Sequence, residues 1–397
     1  MSFVCASIDL NRVHFRLLFF RRNPLQCAAM KILHVYKDYF PILGGIEGNV
    51  QQIAAHQVAN GHDVSVLVTN PSNLPARETI NEVKVIRAHR LATVASTPLS
   101  VTFPVLLARQ KPDIAHLHFP YPVGEVSQLF FGRKTPYVFT YHSDIVKQQT
   151  ILRLYGPLLK RVLANAAQIM PTSPNYIRSS SWLQPLAHKC TAVPLGIDPT
   201  PYLNAQPLDK YSSAVPTILF VGRHRHYKGV NVLIEAMQHV SGARLLIGGD
   251  GPLRADYEVQ ASGLNLGDKV QFLGNIPQDE LASLYASVDL FVLPSINRAE
   301  AFGIVLMEAM ASGLPCISTE LSTGTSFIVD DGTTGRVVLP SQPKRLAEAI
   351  NQLIQNPNRR AALGAAGRQR ILDQFTIQHM VARIQAVYEQ VLRVSEG

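Results

Sequence analysis

The chain has 397 residues, 47% of them hydrophobic and 16% charged, with a formal net charge of +9 at pH 7. That length accommodates two or three domains with cores of their own, and that composition, with Gly and Pro spread evenly and no solenoid-period repeat, excludes a disordered, low-complexity or solenoid chain. The charge is uneven: residues 1–200 carry 20 Lys/Arg against 10 Asp/Glu, and residues 201–397 carry 17 against 18, so an anionic partner would meet the first half, unless the excess serves solubility alone.

The first 29 residues contain HFRLLFFRR, a short apolar core bracketed by arginines. It lacks the longer apolar region and small-residue cleavage site of a signal peptide. The expectation is an over-long start, with the first domain opening at Met30; a basic amphipathic membrane anchor is the rival. From Met30 onward strands and helices alternate. KILHVY (31–36) reads as a strand, followed by Gly44 and Gly45 and a helix-period stretch IEGNVQQIAAHQVANG that closes at Gly61 as a C-cap. Further strands are expected at 63–69, 83–88, 113–119, 137–142 and 168–173, with helical patterns between most of them. Strands apolar on both faces and separated by helices predict a parallel sheet covered on both sides.

VPLGIDPTPYLNAQP (193–207) breaks the alternation with Pro, Gly and Asn and reads as a linker. The pattern then restarts, with strands at 217–222, 243–249, 270–274, 289–295 and 315–318 and helices near 229–240, 252–262, 278–287 and from 303. Residues 343–394 read as helices only. The expected architecture is α/β, with two Rossmann-like, doubly wound domains facing each other across a cleft: residues 30–195 and 196–375. In such sheets ligands bind outside the carboxyl ends of the strands, so residues just after strands carry the interest. No apolar run reaches the ~18 residues that span a bilayer. The four cysteines form no C-x-x-C pair and the thirteen histidines no zinc-type spacing, which fits a reducing cytosol.

Four segments follow strands. LGGIE (43–47) places Gly44 and Gly45 at a helix start, where backbone N–H groups can approach an anion; a plain tight turn explains it equally well. VGRHRHYKG (221–229) sets Arg223, Arg225 and Lys228 around a turn, which suits a diphosphate or is simply a solvated basic turn. RAEAFGIVLMEAM (298–310) holds Glu300 and Glu308 in apolar sequence. Phe302, Gly303, Ile304 and Val305 should form a first helical turn whose N–H groups can hold a phosphate. Glu308 would then reach a ribose hydroxyl, and Glu300 whatever lies beyond the phosphates; the alternative is a capping carboxylate plus an exposed helix residue. YHSDIV (141–146) would project His142 and Asp144 into the cleft from the opposite wall, although a lone histidine is usually structural.

EAFGIVLMEAMASGLP (300–315) resembles the E-x7-E motif of the family 4 retaining glycosyltransferases, which have the GT-B fold. PILGGIE, YHSD, PLGID, VGR with KG, GDGP (249–252), FLGNIP (272–277) and PSINRAEAFG fall in that family's order. The resemblance implies transfer of a sugar from a nucleotide-sugar to an acceptor hydroxyl with retained configuration. It implies that Arg223 and Lys228 bind the diphosphate and Glu308 the ribose. Glu300 would contact the transferred sugar with amides near Gly303 and Ile304, Gly45 would approach the phosphates, and His142 would sit near the reacting sugar. It also implies a final helix, 376–397, crossing back onto the first domain. His224, Arg225 and His226 depart from the pattern and receive no role.

No D-x-D occurs in the chain, so no metal or other cofactor is expected; arginine, lysine and a helix dipole would neutralise the leaving diphosphate. YHSDIVKQ, HYKGVNVLIEAM and SINRAEAFGIV are most similar to bacterial enzymes that move mannose or a deoxyhexose from a GDP-sugar in O-antigen or exopolysaccharide assembly. The acceptor would be a glycan or lipid-linked. LRLYGPLLKRVLANAA (152–167), basic and apolar at helical spacing, would dock on an anionic membrane surface or pack as an ordinary helix on the sheet, with Gly156-Pro157 bending or interrupting it. Such an enzyme would be cytoplasmic and peripheral at the inner face of the plasma membrane. A UDP-sugar-dependent transferase, a sugar-nucleotide epimerase or hydrolase, and a non-catalytic sugar-binding protein are the alternatives. A dehydrogenase fails on the missing G-x-G-x-x-G, and nucleic acid on the scatter of the basic residues.

Overall fold

A computed structural model describes residues 29–396 apart from 43, 133, 146–148 and 212. The expectation for the first 28 residues therefore lies outside the described residues. In chain order the first half contributes β1 (Lys31–Val35), β2 (Asp63–Asn70), β3 (Arg77–Ile80), β4 (Val83–His89), β5 (Ala92–Val94), β6 (Thr97–Leu99), β7 (Ile114–Phe119), β8 (Tyr137–Tyr141) and β9 (Gln168–Pro171). Seven of these form one sheet in the order β3-β4-β2-β1-β7-β8-β9, parallel except for β3, while β5 and β6 pair as a separate hairpin. The second half contributes β10 (Thr217–Val221), β11 (Arg244–Gly248), β12 (Val270–Gly274), β13 (Leu290–Val292), β14 (Cys316–Thr319) and β15 (Gly335–Val338). These form a parallel sheet in the order β12-β11-β10-β13-β14-β15.

Both sheets are doubly wound, as expected. The central strands are buried along their length; every residue of β7 and β8 is out of solvent. Such strands need helices on both faces, which the intervening segments supply. The strand order reverses between β1 and β7 in the first sheet and between β10 and β13 in the second. A reversal leaves a crevice, because successive loops depart to opposite faces. The loops after β10 and β13, residues 222–229 and 293–303, flank that crevice.

Three expectations need adjustment. β3, β5, β6 and β15 were not foreseen: they are three or four residues long and, apart from Pro98 and Gly335, half-buried or exposed, too short to show a strand pattern of their own. The helix expected near 229–240 is a 3-10 turn His226–Lys228, a helix Val230–Ala236 and a second 3-10 turn Met237–His239. Gly229 separates the first two at φ +68°, and a Cβ there would lie 2.1 Å from the carbonyl oxygen of Pro294. That contact brings the loops after β10 and β13 together and leaves room only for glycine.

Helix Gln149–Asn165 runs through Pro157 without interruption. Leu152, Leu159, Val162 and Leu163 of its apolar stripe are buried in the core, and Leu154 is 85% exposed. Packing on the sheet offsets the one backbone bond that proline removes. The stripe proposed for lipid therefore faces inward.

Three helices, Pro343–Ile354, Pro357–Gln374 and Ile377–Glu396, close the chain. The last returns to the first sheet, where Asn49 Nδ2 contacts Met380 Sδ at 3.2 Å and Gln57 Nε2 donates to Tyr388 Oη at 3.3 Å. The two chain crossings run side by side: Ile197 N donates to Phe375 O at 2.9 Å and Ile377 N to Ile197 O at 3.0 Å.

Candidate functional site

Helix Ile304–Ala311 begins just beyond β13, and Gly303 caps it at φ +89°. Leu306 N donates to Gly303 O at 2.9 Å, while the N–H groups of Ile304 and Val305 have no carbonyl a turn earlier within the helix, which makes this a positive end suited to an anion. Phe302 is buried behind that turn, while Ile304 and Val305 are half-buried. From the other side, a Cβ added to Gly45 would lie 3.9 Å from Ile304 Cδ1. The glycine pair after β1 thus faces the helix start after β13, with Gly44 and Gly45 both exposed.

The two glutamates have defined partners. Lys228 Nζ lies 2.7 Å from Glu300 Oε2, and Ser295 Oγ donates to the same oxygen at 2.9 Å. The backbone of Glu300 is also anchored, since Thr323 Oγ1 donates to its carbonyl at 2.9 Å. Both side-chain contacts fall on Oε2. Burial alone would lower the pKa of Lys228, but the Glu300 carboxylate outweighs it and holds the ammonium above the usual lysine range. Glu308 accepts from Tyr285 Oη at 2.9 Å, and Tyr202 is its second phenolic donor. Burial raises the Glu308 pKa, against the opposing pull of the two phenols and of Lys228. Lys228 therefore pairs with Glu300 directly and acts on Glu308 through its charge. Neither glutamate is a helix cap, and neither is freely exposed.

Arg223 is exposed on the same loop, two residues after β10, and among the described residues it has no ion pair. His224 is buried against Phe220, Tyr257 and Phe272, with neither ring nitrogen hydrogen-bonded. Arg225 is half-buried and His226 exposed.

On the opposite wall, His142 follows β8 and is 3% exposed. Burial lowers its pKa to about 3, so the ring is neutral. Asp144 accepts from Tyr141 Oη and Ser180 Oγ, both at 2.7 Å, and pairs with Arg298 of the second half at 2.6 Å. Asn175 Nδ2 donates across the same gap to Thr323 O at 2.8 Å. Glu300, Lys228, Glu308 and the helix start are thus gathered on one wall, with Gly45, His142 and Asp144 on the other.

Sequence reasoning missed Tyr202, Tyr285, Ser295 and the Arg298–Asp144 pair. Tyr202 lies in the stretch read only as a linker, and no spacing rule connects it to Glu308. It also missed a histidine cluster: ring nitrogens of His34, His116 and His118 lie within 4.8 Å of one another. H-x-H inside a strand, which puts both rings on one face, was the available signal. A cavity of about 580 Å³ lies at the amino ends of β1, β2 and β4, lined by Lys31, Asp63 and Lys84 among others. It is at the wrong end of the sheet for the crevice and shares no residue with the site.

Comparison with known proteins shows the family and the fold. Residues 210–370 match the family model described as glycosyl transferases group 1, and residues 43–200 match glycosyltransferase family 4. The sequence is 34% identical to the O-antigen chain mannosyltransferase C of Escherichia coli, over 91% of this chain and 99% of that one. It is 35% identical to a D-rhamnosyltransferase of Pseudomonas aeruginosa, over 87% and 92% of the two chains. Among solved structures, a sucrose-phosphate synthase of Thermosynechococcus elongatus superposes with a TM-score of 0.76 at 24% identity, covering 91% of this chain and 99% of that one. The Anabaena protein HepE in complex with UDP superposes with a TM-score of 0.74 at 20% identity, covering 91% and 100%.

Proposed function

This chain belongs to glycosyltransferase family 4 and has the GT-B fold, and from that premise we propose a retaining, metal-independent hexosyltransferase that takes mannose or a related deoxyhexose from a GDP-sugar. The acceptor is a glycan or lipid-linked glycan in cell-surface polysaccharide assembly. Relatives that are a mannosyltransferase and a rhamnosyltransferase, each matched over nearly its full length, support the sugar class.

The observation that carries the reading is the Lys228–Glu300 pair beside the start of helix Ile304–Ala311. In the proposed complex the diphosphate sits at that helix start, with Arg223 and Lys228 supplying positive charge as the leaving group departs. The amides near Gly303 and Ile304 and the backbone at Gly44 and Gly45 close around the phosphates. Glu308, already oriented by Tyr285 and Tyr202, accepts from ribose hydroxyls. Glu300 keeps Oε2 on Lys228 and Ser295 and turns Oε1 to a hydroxyl of the transferred sugar. His142 faces that sugar from the first domain. Four charged or dipolar groups at the diphosphate support chemistry without a metal.

No helix among the described residues is long and apolar enough to cross a membrane. A cytoplasmic enzyme drawn to an anionic surface is supported by the basic excess of residues 1–200.

Titration calorimetry with GDP, UDP and ADP tests the donor. Selective GDP binding, followed by sugar transfer from GDP-mannose to an acceptor, is the expected result. Preference for UDP would replace the donor assignment, and sugar release or epimerisation without an acceptor would replace the transferase reading.

A further inference from the structure

Beneath His142 lies a chain of buried polar groups that the proposed transfer does not use. His34, His116 and His118 are fully buried. His34 Nε2 lies 2.7 Å from Gln57 Oε1, and His34 Nδ1 lies 3.0 Å from His118 Nε2. His118 Nδ1 lies 3.2 Å from His142 Nε2. A branch runs from Gln57 Nε2 to Tyr388 Oη at 3.3 Å, on to His116 Nδ1 at 2.6 Å, and from His116 Nε2 to Thr140 Oγ1 at 2.7 Å. The rings of His118 and His142 stack at 5.5 Å and 23°.

Three ring nitrogens this close could bridge a cation. Here each ring nitrogen of His34, His116 and His118 already has a protein partner, and a cation would have to break those bonds. The rings are neutral, because burial lowers His34 to about 4 and His142 to about 3 and pushes His116 and His118 well below the usual range. A neutral imidazole has one donor and one acceptor nitrogen, so each bond in the chain dictates the next.

The direction is set at Tyr388. A phenol is the stronger donor toward a neutral imidazole, so its O–H points at His116 Nδ1. Its oxygen then accepts from the Gln57 amide, and Gln57 Oε1 is left facing His34. His34 Nε2 must therefore carry the proton. His34 Nδ1 accepts from His118 Nε2–H, and His118 Nδ1 accepts from His142 Nε2–H.

We propose that Gln57, His34 and His118 are positioning residues that hold His142 as its Nε2–H tautomer, leaving Nδ1 as the acceptor offered to the cleft. The proposal rests on His142 facing the transferred sugar. A sugar hydroxyl would then meet a lone pair of fixed direction rather than a ring that can turn or change tautomer. Tyr388 lies on the final helix, so the crossing of that helix onto the first sheet sets the hydrogen-bonding state of a group at the cleft. Linked bonds of one polarity also reinforce one another in a dry interior.

The test is nitrogen-15 NMR of the full chain labelled at histidine, alongside steady-state turnover of GDP-mannose. The wild type is expected to show His142 protonated at Nε2 only. Gln57→Leu, which touches neither His142 nor the cleft, is expected to change the His142 tautomer signal and lower kcat on the order of tenfold at unchanged donor KM. A wild-type His142 protonated at Nδ1 would overturn the assigned direction without any variant. A His142 signal that ignores Gln57→Leu would overturn the relay, and unchanged kcat in a variant whose signal has moved would overturn its part in transfer. Absence of wild-type turnover with any nucleotide-sugar would instead defeat the functional reading, while the NMR result would still decide the relay.

Discussion

Arg298 and Asp144 form an ion pair across the cleft, with Nη2 2.6 Å from Oδ2. Arg298 also donates to Ser179 Oγ at 2.9 Å, and its guanidinium lies 5.4 Å from the centre of the Tyr176 ring. These bonds join the loop after β13 to the loop after β8 and the helix Pro174–Ser179. Removing the guanidinium should let the two halves separate. Arg298→Ala is expected to increase the radius of gyration by small-angle scattering and to raise the donor KM severalfold, because closure gathers the site. An unchanged scattering profile would mean that the pair follows closure without holding it.

The Lys228–Glu300 pair is nearly out of water, with side chains 12% and 8% exposed. Deleting one partner of such a pair strands a buried charge at a cost of about 3–5 kcal/mol, whereas deleting both costs much less. Lys228→Met alone should lower Tm clearly, and Lys228→Met with Glu300→Gln should recover most of that loss. Neither variant should transfer sugar. A double variant no more stable than the single one would contradict this electrostatic account.

Glu308→Ala is expected to weaken nucleotide binding by roughly ten- to a hundredfold, the worth of a charge-assisted bond. Tyr285→Phe removes a donor to Glu308 without touching a ligand, and should weaken binding by a smaller factor, about fivefold. Equal affinities by calorimetry for all three proteins would remove Glu308 from the nucleotide site.

Glu125 provides a pH test. It lies in the core, where Tyr155 Oη and Tyr121 N donate to it, yet burial raises its pKa from 4.5 to about 7. A carboxyl raised on folding binds more protons in the folded state, so its contribution to stability falls as pH rises from 4.5 to about 7. Glu125→Gln has no proton to lose. Relative to wild type it should gain stability between pH 5 and pH 8, on the order of 3 kcal/mol. A difference in Tm that does not change with pH would refute this.

Turnover should persist in excess EDTA, since Arg223, Lys228 and the helix start are proposed to neutralise the leaving diphosphate. Loss of activity that only Mg²⁺ or Mn²⁺ restores would overturn that proposal.

The alternation of apolar runs with helical patterns was enough to determine two parallel sheets, because short apolar runs that recur between longer helical patterns fit strands buried on both faces by the helices beside them. Local chemistry also marked the segments after β1, β8, β10 and β13, since glycines and charges at strand ends are visible in one dimension. What those charges touch was decided by the fold alone. Glu308 meets Tyr285 and Tyr202, which are 23 and 106 positions away in the chain. His34 meets His118 across two adjacent strands, and Tyr388 arrives from the last helix. Helix 149–165 looked suited to lipid until the sheet supplied a face for its apolar stripe. Periodicity says that a residue must be buried or that a charge needs a partner; only the packing of distant segments says which partner it receives.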